Sequence, residues 1–323
     1  MINGKITSEL LPSLSNDVGV VNAAKVSMDK WADTFDSGEH DGSHTRLVRY
    51  LAKHRHFTTF THSRETFIFD VNYIDLHLAT EEETTGLVMA DYSHYEHEYE
   101  TLVKFRHSII GWANLLSKRI NNQKLADFIN DKLTELYPNV WPILYQHEGE
   151  RNKAYFDNTI IYVSAKDETN PRFIDVSFRY KTPIPIARQE FKHMVSFTRN
   201  EMSRRYVSDN VQIYDVTEWR SKPEGSVKQG SAGINPNQER IDNLYLTACD
   251  MALDAYDLMI ALEVCPEQAR FVLPQGTMVS YVVTGSLTGY KRFLNQRLDS
   301  HAQKEIQDLA GQVEMLLENH PNW

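Results

Sequence analysis

The chain is 323 residues long, with 41% hydrophobic and 24% charged residues and a formal net charge of -10. That describes an ordinary globular chain able to bury a core, long for one domain and short for two large ones. The acidic balance argues against nucleic acid as the main partner. No apolar run is long enough to span a membrane, and Met1–Glu9 lacks the apolar core of a signal peptide. Two cysteines, Cys249 and Cys265, are too few for a disulfide framework, so a reducing cytoplasm is the expected compartment.

In chain order, residues 42–54 read as an amphipathic helix with Ser43 as N-cap and Leu47, Tyr50 and Leu51 at helical spacing. Thr66–Val71, rich in aromatic and β-branched residues, reads as a strand. Helices are expected over Ile109–Ile120 and Leu125–Leu136, the second ended by Tyr137-Pro138. Thr159–Val163 and Phe173–Tyr180 look like strands, and Pro183 and Pro185 lead into a helix reaching about Met194. Residues 218–240 form a long polar loop, of the kind that is functional or disordered. Ile241, Leu244, Ala248, Met251, Ala255, Leu258 and Leu262 mark a long core helix stopped before Pro266. A last helix follows Gly289, with an apolar stripe at Leu294, Leu298, Ile306, Leu309, Val313 and Leu316. There is no internal repeat.

Two segments reverse the sign of the chain's charge. Residues 187–206 carry Arg188, Lys192, Arg199, Arg204 and Arg205 against Glu190 and Glu201; residues 270–304 carry Arg270, Lys291, Arg292, Arg297 and Lys304 against Asp299. Cationic segments on an acidic background suit a focused site for small anions. Ser203-Arg204-Arg205 supplies the convergent N–H donors a phosphate monoester needs, although such a run also suits an exposed basic turn. Arg297 and His301 stand four apart, on one helix face, which alone fits a solvated flank. His54, His56 and His62 cluster, and His94 and His97 are three apart, but no ligand set is completed and no metal is expected. No Gly-x-Gly-x-x-Gly marks a dinucleotide fold. Cys249 adjoins Ala248, Met251 and Ala252 and reads as core; neither cysteine has a basic neighbour to lower its pKa.

Arg188-Gln189, Lys192-His193-Met194 and Asn200-Glu201-x-Ser203-x-Arg205-Tyr206 together resemble the signature of flavin-dependent thymidylate synthases. That signature runs Arg-Gln-x-x-Arg-His-Arg, then about seven residues, then Ser-x-Arg-Tyr. Ala269-Arg270-Phe-Val-Leu273-Pro274 and Arg297-Leu-Asp-Ser-His301-Ala-Gln303 resemble its C-terminal half. Ala23–Ser27 and Lys53–His62 resemble an upstream part. The likeness covers roughly residues 15–71 and 176–315. It implies an α/β (α+β) fold, a mainly antiparallel sheet with long helices, in a homotetramer with shared active sites.

The resemblance further implies reductive methylation of deoxyuridine monophosphate (dUMP), with FAD as cofactor and methylenetetrahydrofolate and NADPH as co-substrates. Arg297 becomes the catalytic residue, lying against the uracil ring. Gln189, Lys192, Glu201, Met202, Ser203, Arg204, Arg205, Arg270 and Arg297 become the dUMP site. Ser27, His56, Thr58, Lys192, His193, Met194, Glu201, Ser286, Thr288, Arg292 and His301 become the flavin site. The chain departs from the family where Lys192-His193-Met194 replaces Arg-His-Arg and where eight residues, 195–202, precede Ser203. Arg199 is placed to restore the lost charge from within that gap. Ser286-Leu-Thr288 replaces Asn-x-Arg, Arg292 replaces an Asn, and Thr61 replaces a Glu. These changes fall on the flavin side, so two alternatives stay open: a non-catalytic nucleotide-binding relative, or a flavin enzyme making another 5-substituted deoxyuridylate. Residues 1–71 and 176–323 are then the catalytic domain. Residues 72–175 are expected as a helix-rich insertion packing as its own lobe, its flanking strands Thr66–Val71 and Phe173–Tyr180 paired.

Overall fold

The computed structural model describes residues 2–38, 42–70, 87–88, 102–118, 123–148, 159–162, 174–223 and 231–323. The chain opens with strands β1 (Ile2–Gly4) and β2 (Thr7–Leu11) and helices α1 (Asp17–Lys25) and α2 (Ser43–Lys53). Strands β3 (Arg64–Asp70), β4 (Leu87–Val88) and β5 (Leu102–Ser108) precede helices α3 (Ile109–Lys118), α4 (Gln123–Leu136) and α5 (Trp141–Glu148). Then come β6 (Thr159–Tyr162), β7 (Asp175–Pro183), α6 (Ile184–Glu190), β8 (Phe197–Glu201) and β9 (Ile213–Tyr214). The chain closes with α7 (Gln238–Ala261), α8 (Pro266–Ala269), β10 (Met278–Ser286), α9 (Leu287–Arg297) and α10 (Lys304–Leu317).

The sheet that positions the site is ordered β2-β7-β10-β8 and is antiparallel throughout. Its centre is β10, rich in Val, Tyr and Thr and buried at every position but Ser280. Period-two alternation sends Val279, Tyr281 and Val283 to one face, where α6, α9 and α10 supply Ile186, Tyr290, Phe293, Leu309 and Val313. Val282 on the other face packs against Leu11, Leu14 and Val26. The expected C-terminal stripe is therefore real at Leu294, Ile306, Leu309 and Val313, but it runs over two helices. Asp299 accepts the amide of His301 at 2.8 Å and turns the chain between them, leaving Leu298 exposed. The N-terminus is closed by the C-terminus: Ser8 N–H donates to Gln312 Oε1 at 2.8 Å, and Gln312 Nε2 donates to the Ile6 carbonyl at 3.1 Å.

A second sheet, β3-β5-β6-β4, lies beside the first. The expected pairing of the Thr66–Val71 and Phe173–Tyr180 segments does not occur: β3 pairs with β5, while β7 pairs with β2 and β10. The two sheets meet through charge, because Arg64 and Arg106 both reach the Asp175 carboxylate at the start of β7. Nor do the described helices of segment 72–175 enclose a core of their own. Trp112, Ile129, Leu133 and Trp141 share one apolar cluster with Val20 and Val21 of α1, Val48 of α2, and Phe60. Asp17 fixes that packing by accepting from Asn139 N (2.9 Å), Asn139 Nδ2 (2.7 Å) and Val140 N (3.0 Å). Glu81–Glu83, His94 and His97 lie outside the described residues.

Three helices differ from expectation in detail. Ser43 starts α2 but does not cap it; its N–H and hydroxyl both donate to Asp36, and Tyr50 faces out, 55% exposed. Helix α6 stops at Glu190, and the chain from 191 to 196 is a turn closed by Ser196 at φ 74°. Helix α7 forms as predicted in length, but only Cys249 and Tyr256 are buried along it. Leu244, Met251, Leu258 and Leu262 are 61–69% exposed, so the predicted core stripe is an outward-facing apolar surface.

Asp17→Ala would leave buried N–H groups of Asn139 and Val140 without an acceptor. The expected loss is about 1–3 kcal/mol, read from denaturant unfolding, with Asp17→Asn losing less.

Candidate active site

The cationic turn after β8 is held by three backbone ties. Asn200 Nδ2 donates to the Ala23 carbonyl (2.8 Å), Met202 N to Ser280 O (2.8 Å) and Ser203 N to Ser27 O (3.0 Å). Arg204 is buried, its Nη1 donating to Asp209 O at 2.7 Å, while its buried Nε has no partner. The Ser203 hydroxyl accepts from Arg205 N at 3.3 Å and stays at the surface of a cavity of about 700 Å³. Glu201 to Arg205, Arg188 and Arg270 line this cavity, with Phe191, Phe271 and Val279 as apolar wall. Glu267 on α8 gathers two of the cations: Arg205 stands 3.7 Å from its carboxylate, and Arg270 Nε donates to its carbonyl at 3.2 Å. The lining thus holds four arginines and one carboxylate, Glu201. Burial raises the Glu201 carboxyl above its ordinary range, and Arg188 and then Arg270 oppose the rise. The arrangement can hold an anion beside an apolar, partly aromatic wall.

Gln189, Lys192 and Arg297 do not line that cavity. Arg297 is the last residue of α9, so it does not share a helix face with His301, which sits in the following turn, bonded to Asp299 and 81% exposed. Arg297 Nε donates to His193 Nε2 at 2.7 Å, and its Nη2 donates to the Gln189 carbonyl at 3.2 Å. Gln189 Nε2 in turn donates to Gln303 Oε1 at 2.6 Å. An accepting Nε2 places the His193 proton on Nδ1. Burial first, then the charges of Arg297, Arg199 and Arg292, push the His193 pKa down to about 4, so the ring is neutral. Arg199 does not restore charge to the site. It turns inward and forks onto buried Glu190 at 2.8 and 2.6 Å. The two groups of residues expected around one nucleotide are therefore separate within one chain.

Comparison with known proteins identifies the family. The family model described as thymidylate synthase complementing protein matches residues 133–322, more than half of the chain. The chain belongs to this family, the flavin-dependent thymidylate synthases. A flavin-dependent thymidylate synthase of Aquifex aeolicus is 24% identical over 94% of this chain and 95% of its own. One from Thermosipho melanesiensis is 31% identical over 51% of this chain and 73% of its own. Among solved structures, a UMP/dUMP methylase, PolB, from Streptomyces cacaoi bound with 5-Br UMP is 18% identical, covering 98% of this chain and 89% of that chain, with a TM-score of 0.45.

Family membership implies a flavin. Of the residues expected to meet it, His56, Thr58, Lys192, Met194, Thr288, Arg292 and His301 are exposed. The turn carrying Lys192 and Met194 adjoins the first turn of α9: a Cβ at Gly289 would stand 3.2 Å from that of Ser196. Lys192 and Arg292 supply exposed cations, and Met194 and Val195 exposed apolar surface, a composition that suits a diphosphate attached to a flat ring. Ser286 does not fit that role. It is buried, caps α9 through Gly289 N at 3.1 Å and bonds Ser196 Oγ at 2.6 Å. The Ser27 hydroxyl is likewise spent, on the Ala24 carbonyl at 2.8 Å.

Sequence reasoning missed Arg188 and Phe271 as cavity residues, although both lie inside quoted motifs; their helix and turn phases decide it, and those required the structure. It also missed a second cavity of about 480 Å³ where the polar loop brings Trp219 and Arg220 against Tyr245, Gln303 and Glu305. Loop length was the signal there. Arg205→Ala or Arg270→Ala should weaken binding of a nucleoside monophosphate at least tenfold, since a charge-assisted hydrogen bond is worth about 1.5–3 kcal/mol. Calorimetric titration at two salt concentrations would check this, the variants also having the shallower salt dependence.

Proposed function

We propose that the chain is a flavin-dependent thymidylate synthase: it transfers the methylene carbon of methylenetetrahydrofolate to C5 of dUMP and reduces it, with FAD recharged by NADPH. The observation that carries this is the cavity at Ser203, Arg205 and Arg270, with its four guanidinium groups. Ser203 and the arginines would hold the phosphate, and Phe271 would cover the sugar and base. Arg297, fixed by His193 and the Gln189 carbonyl, offers a planar charge able to stabilise negative charge spread over a pyrimidine ring. When bound, the flavin supplies the reducing equivalents. A cysteine nucleophile is not required: Cys249 is buried with its thiol pushed up by burial, and neither cysteine lines the cavity.

We further propose a homotetramer with shared sites. Two features support it: the apolar face of α7, and the separation of the Ser203–Arg270 group from the Arg297–Gln189 group, which a neighbouring chain would complete. Residues 1–71 and 176–323 would carry the chemistry, since no described side chain of 72–175 lines the cavity. The cytoplasm suits its free cysteines. Among the described residues no helix is long and apolar enough to cross a membrane. A second reading, a nucleotide-binding relative without flavin chemistry, is favoured by the engagement of Ser27 and Ser286.

Adding FAD to the purified protein in the presence of dUMP separates the two readings. Binding with a perturbed flavin absorbance band is expected; none at high micromolar FAD would leave only the second. Arg297→Lys should lower turnover by two to three orders of magnitude, about 2.7–4 kcal/mol in the transition state, with the fold retained by circular dichroism. Met251→Glu with Leu258→Glu should reduce the mass measured by light scattering to that of a smaller assembly, because two charges would enter an apolar contact.

A further inference from the structure

We propose that the Glu190–Arg199 pair is a positioning device that fixes His193, and through it the aim of Arg297. The inference rests on the reading of Arg297 as the residue that meets the pyrimidine. Glu190 ends α6 and is 1% exposed. A carboxylate so buried requires a partner, and Arg199 provides both prongs of its fork, Nε at 2.8 Å and Nη2 at 2.6 Å. The same Nη2 also donates to the Glu190 carbonyl (3.2 Å) and the His193 carbonyl (2.6 Å). One guanidinium from a strand thus ties the end of α6 to the turn that follows it.

Arg297 approaches that stretch from α9, gripping the Gln189 carbonyl and the His193 ring. Residues 189–193 lie between two arginines from different elements. Phe293 stands edge-on to the His193 ring at 5.0 Å, and the Ser196–Ser286 hydroxyl pair pins the far end of the turn. Neither Glu190 nor Arg199 touches the cavity. Apart from the charge that Glu190 presents to Arg297, their effect on chemistry runs through the placement of His193 against Arg297. Lys cannot replace Arg199 here, since an ammonium carries the charge without the planar fork that reaches two carboxylate oxygens and a carbonyl together.

The charged groups facing His193 are Arg297 and Arg292 from α9 and Arg199 from β8, while Glu190 of α6 meets it through its backbone carbonyl, which accepts from His193 N at 3.0 Å. Freeing the turn would expose the ring and release it from Arg297, so His193 would titrate nearer the ordinary value of about 6.5.

The test is a cycle of Arg199→Lys, Arg297→Lys and the double variant in the full chain, read by turnover with dUMP and by histidine NMR titration assigned with His193→Gln. Arg199→Lys is expected to lower turnover about a hundredfold, with a new loss of activity below about pH 6.5, yet to cost little more in the Arg297→Lys background. The His193 resonance should move from its low titration point of about 4 toward neutrality. Losses that multiply in the double variant, or a His193 titration unchanged in Arg199→Lys, would overturn the proposal. If Arg199→Lys fails to fold, Glu190→Gln keeps the shape and should change both readouts in the same direction; no change there would overturn the proposal as well. If the wild type binds dUMP but turns nothing over, the catalytic reading falls and the titration still decides the role of the pair.

Discussion

A strand buried on both faces governs this molecule. β10 cannot lie at a surface, because Val279, Tyr281 and Val283 need cover on one side and Val282 on the other. The helices around α9 meet the first need and the N-terminal strand and turn meet the second. Its neighbours are then fixed by antiparallel register: Tyr281 lies opposite Tyr180 in β7 and Glu201 in β8. The cationic turn begins where β8 runs out, so the anion cavity inherits its position from β10, a strand buried along almost its whole length. A preorganised cluster of arginines is costly to assemble beside such a core. Here the backbone carbonyls that meet Arg204 and Arg270, and the Glu267 carboxylate beside Arg205, offset part of that cost.

Arginines that bond inward are as informative as those whose donors meet the cavity. Arg199 and Arg204 sit in the same charged stretch of sequence, and both spend donors on the protein itself. Arg199 is wholly structural in its contacts. Arg204 is divided, with its Nη atoms on carbonyls and its Nε buried without a hydrogen-bond partner. Charge content alone could not have sorted these roles, because a guanidinium's use depends on which carbonyls the turn presents to it.

Much of the fold was legible because it is local. Helices at 109–118 and 123–136 followed from periodicity, and the motif letters at 188–206, 270 and 297 found the elements that carry the site. What could not be read was mostly long-range. The partner of β3 is chosen by cross-sheet packing and by Asp175, far away in sequence, not by the strand's own residues. Nothing in α7 says whether Leu244, Met251 and Leu258 meet the chain's own core or another surface, since the same spacing serves both. The break between α9 and α10 was hidden because the apolar stripe continues across it, and only the Asp299–His301 turn interrupts the backbone. Arg199 was misjudged for a similar reason: its partner Glu190 lies nine residues back, on the far side of a turn whose Ser196 adopts a left-handed conformation.

The closure of β2 by the last helix has a consequence for synthesis. β2 finds its sheet partner only when β7 exists, and the Ser8 and Ile6 backbone groups find Gln312 only when nearly the whole chain has been made. Pairings of such sequence separation are slow to form, since the intervening loop must be closed before any contact rewards it. During translation the N-terminal residues therefore leave the ribosome with their edge unpaired and remain so until the C-terminal helix emerges. Until then that strand edge is open to pairing with other chains.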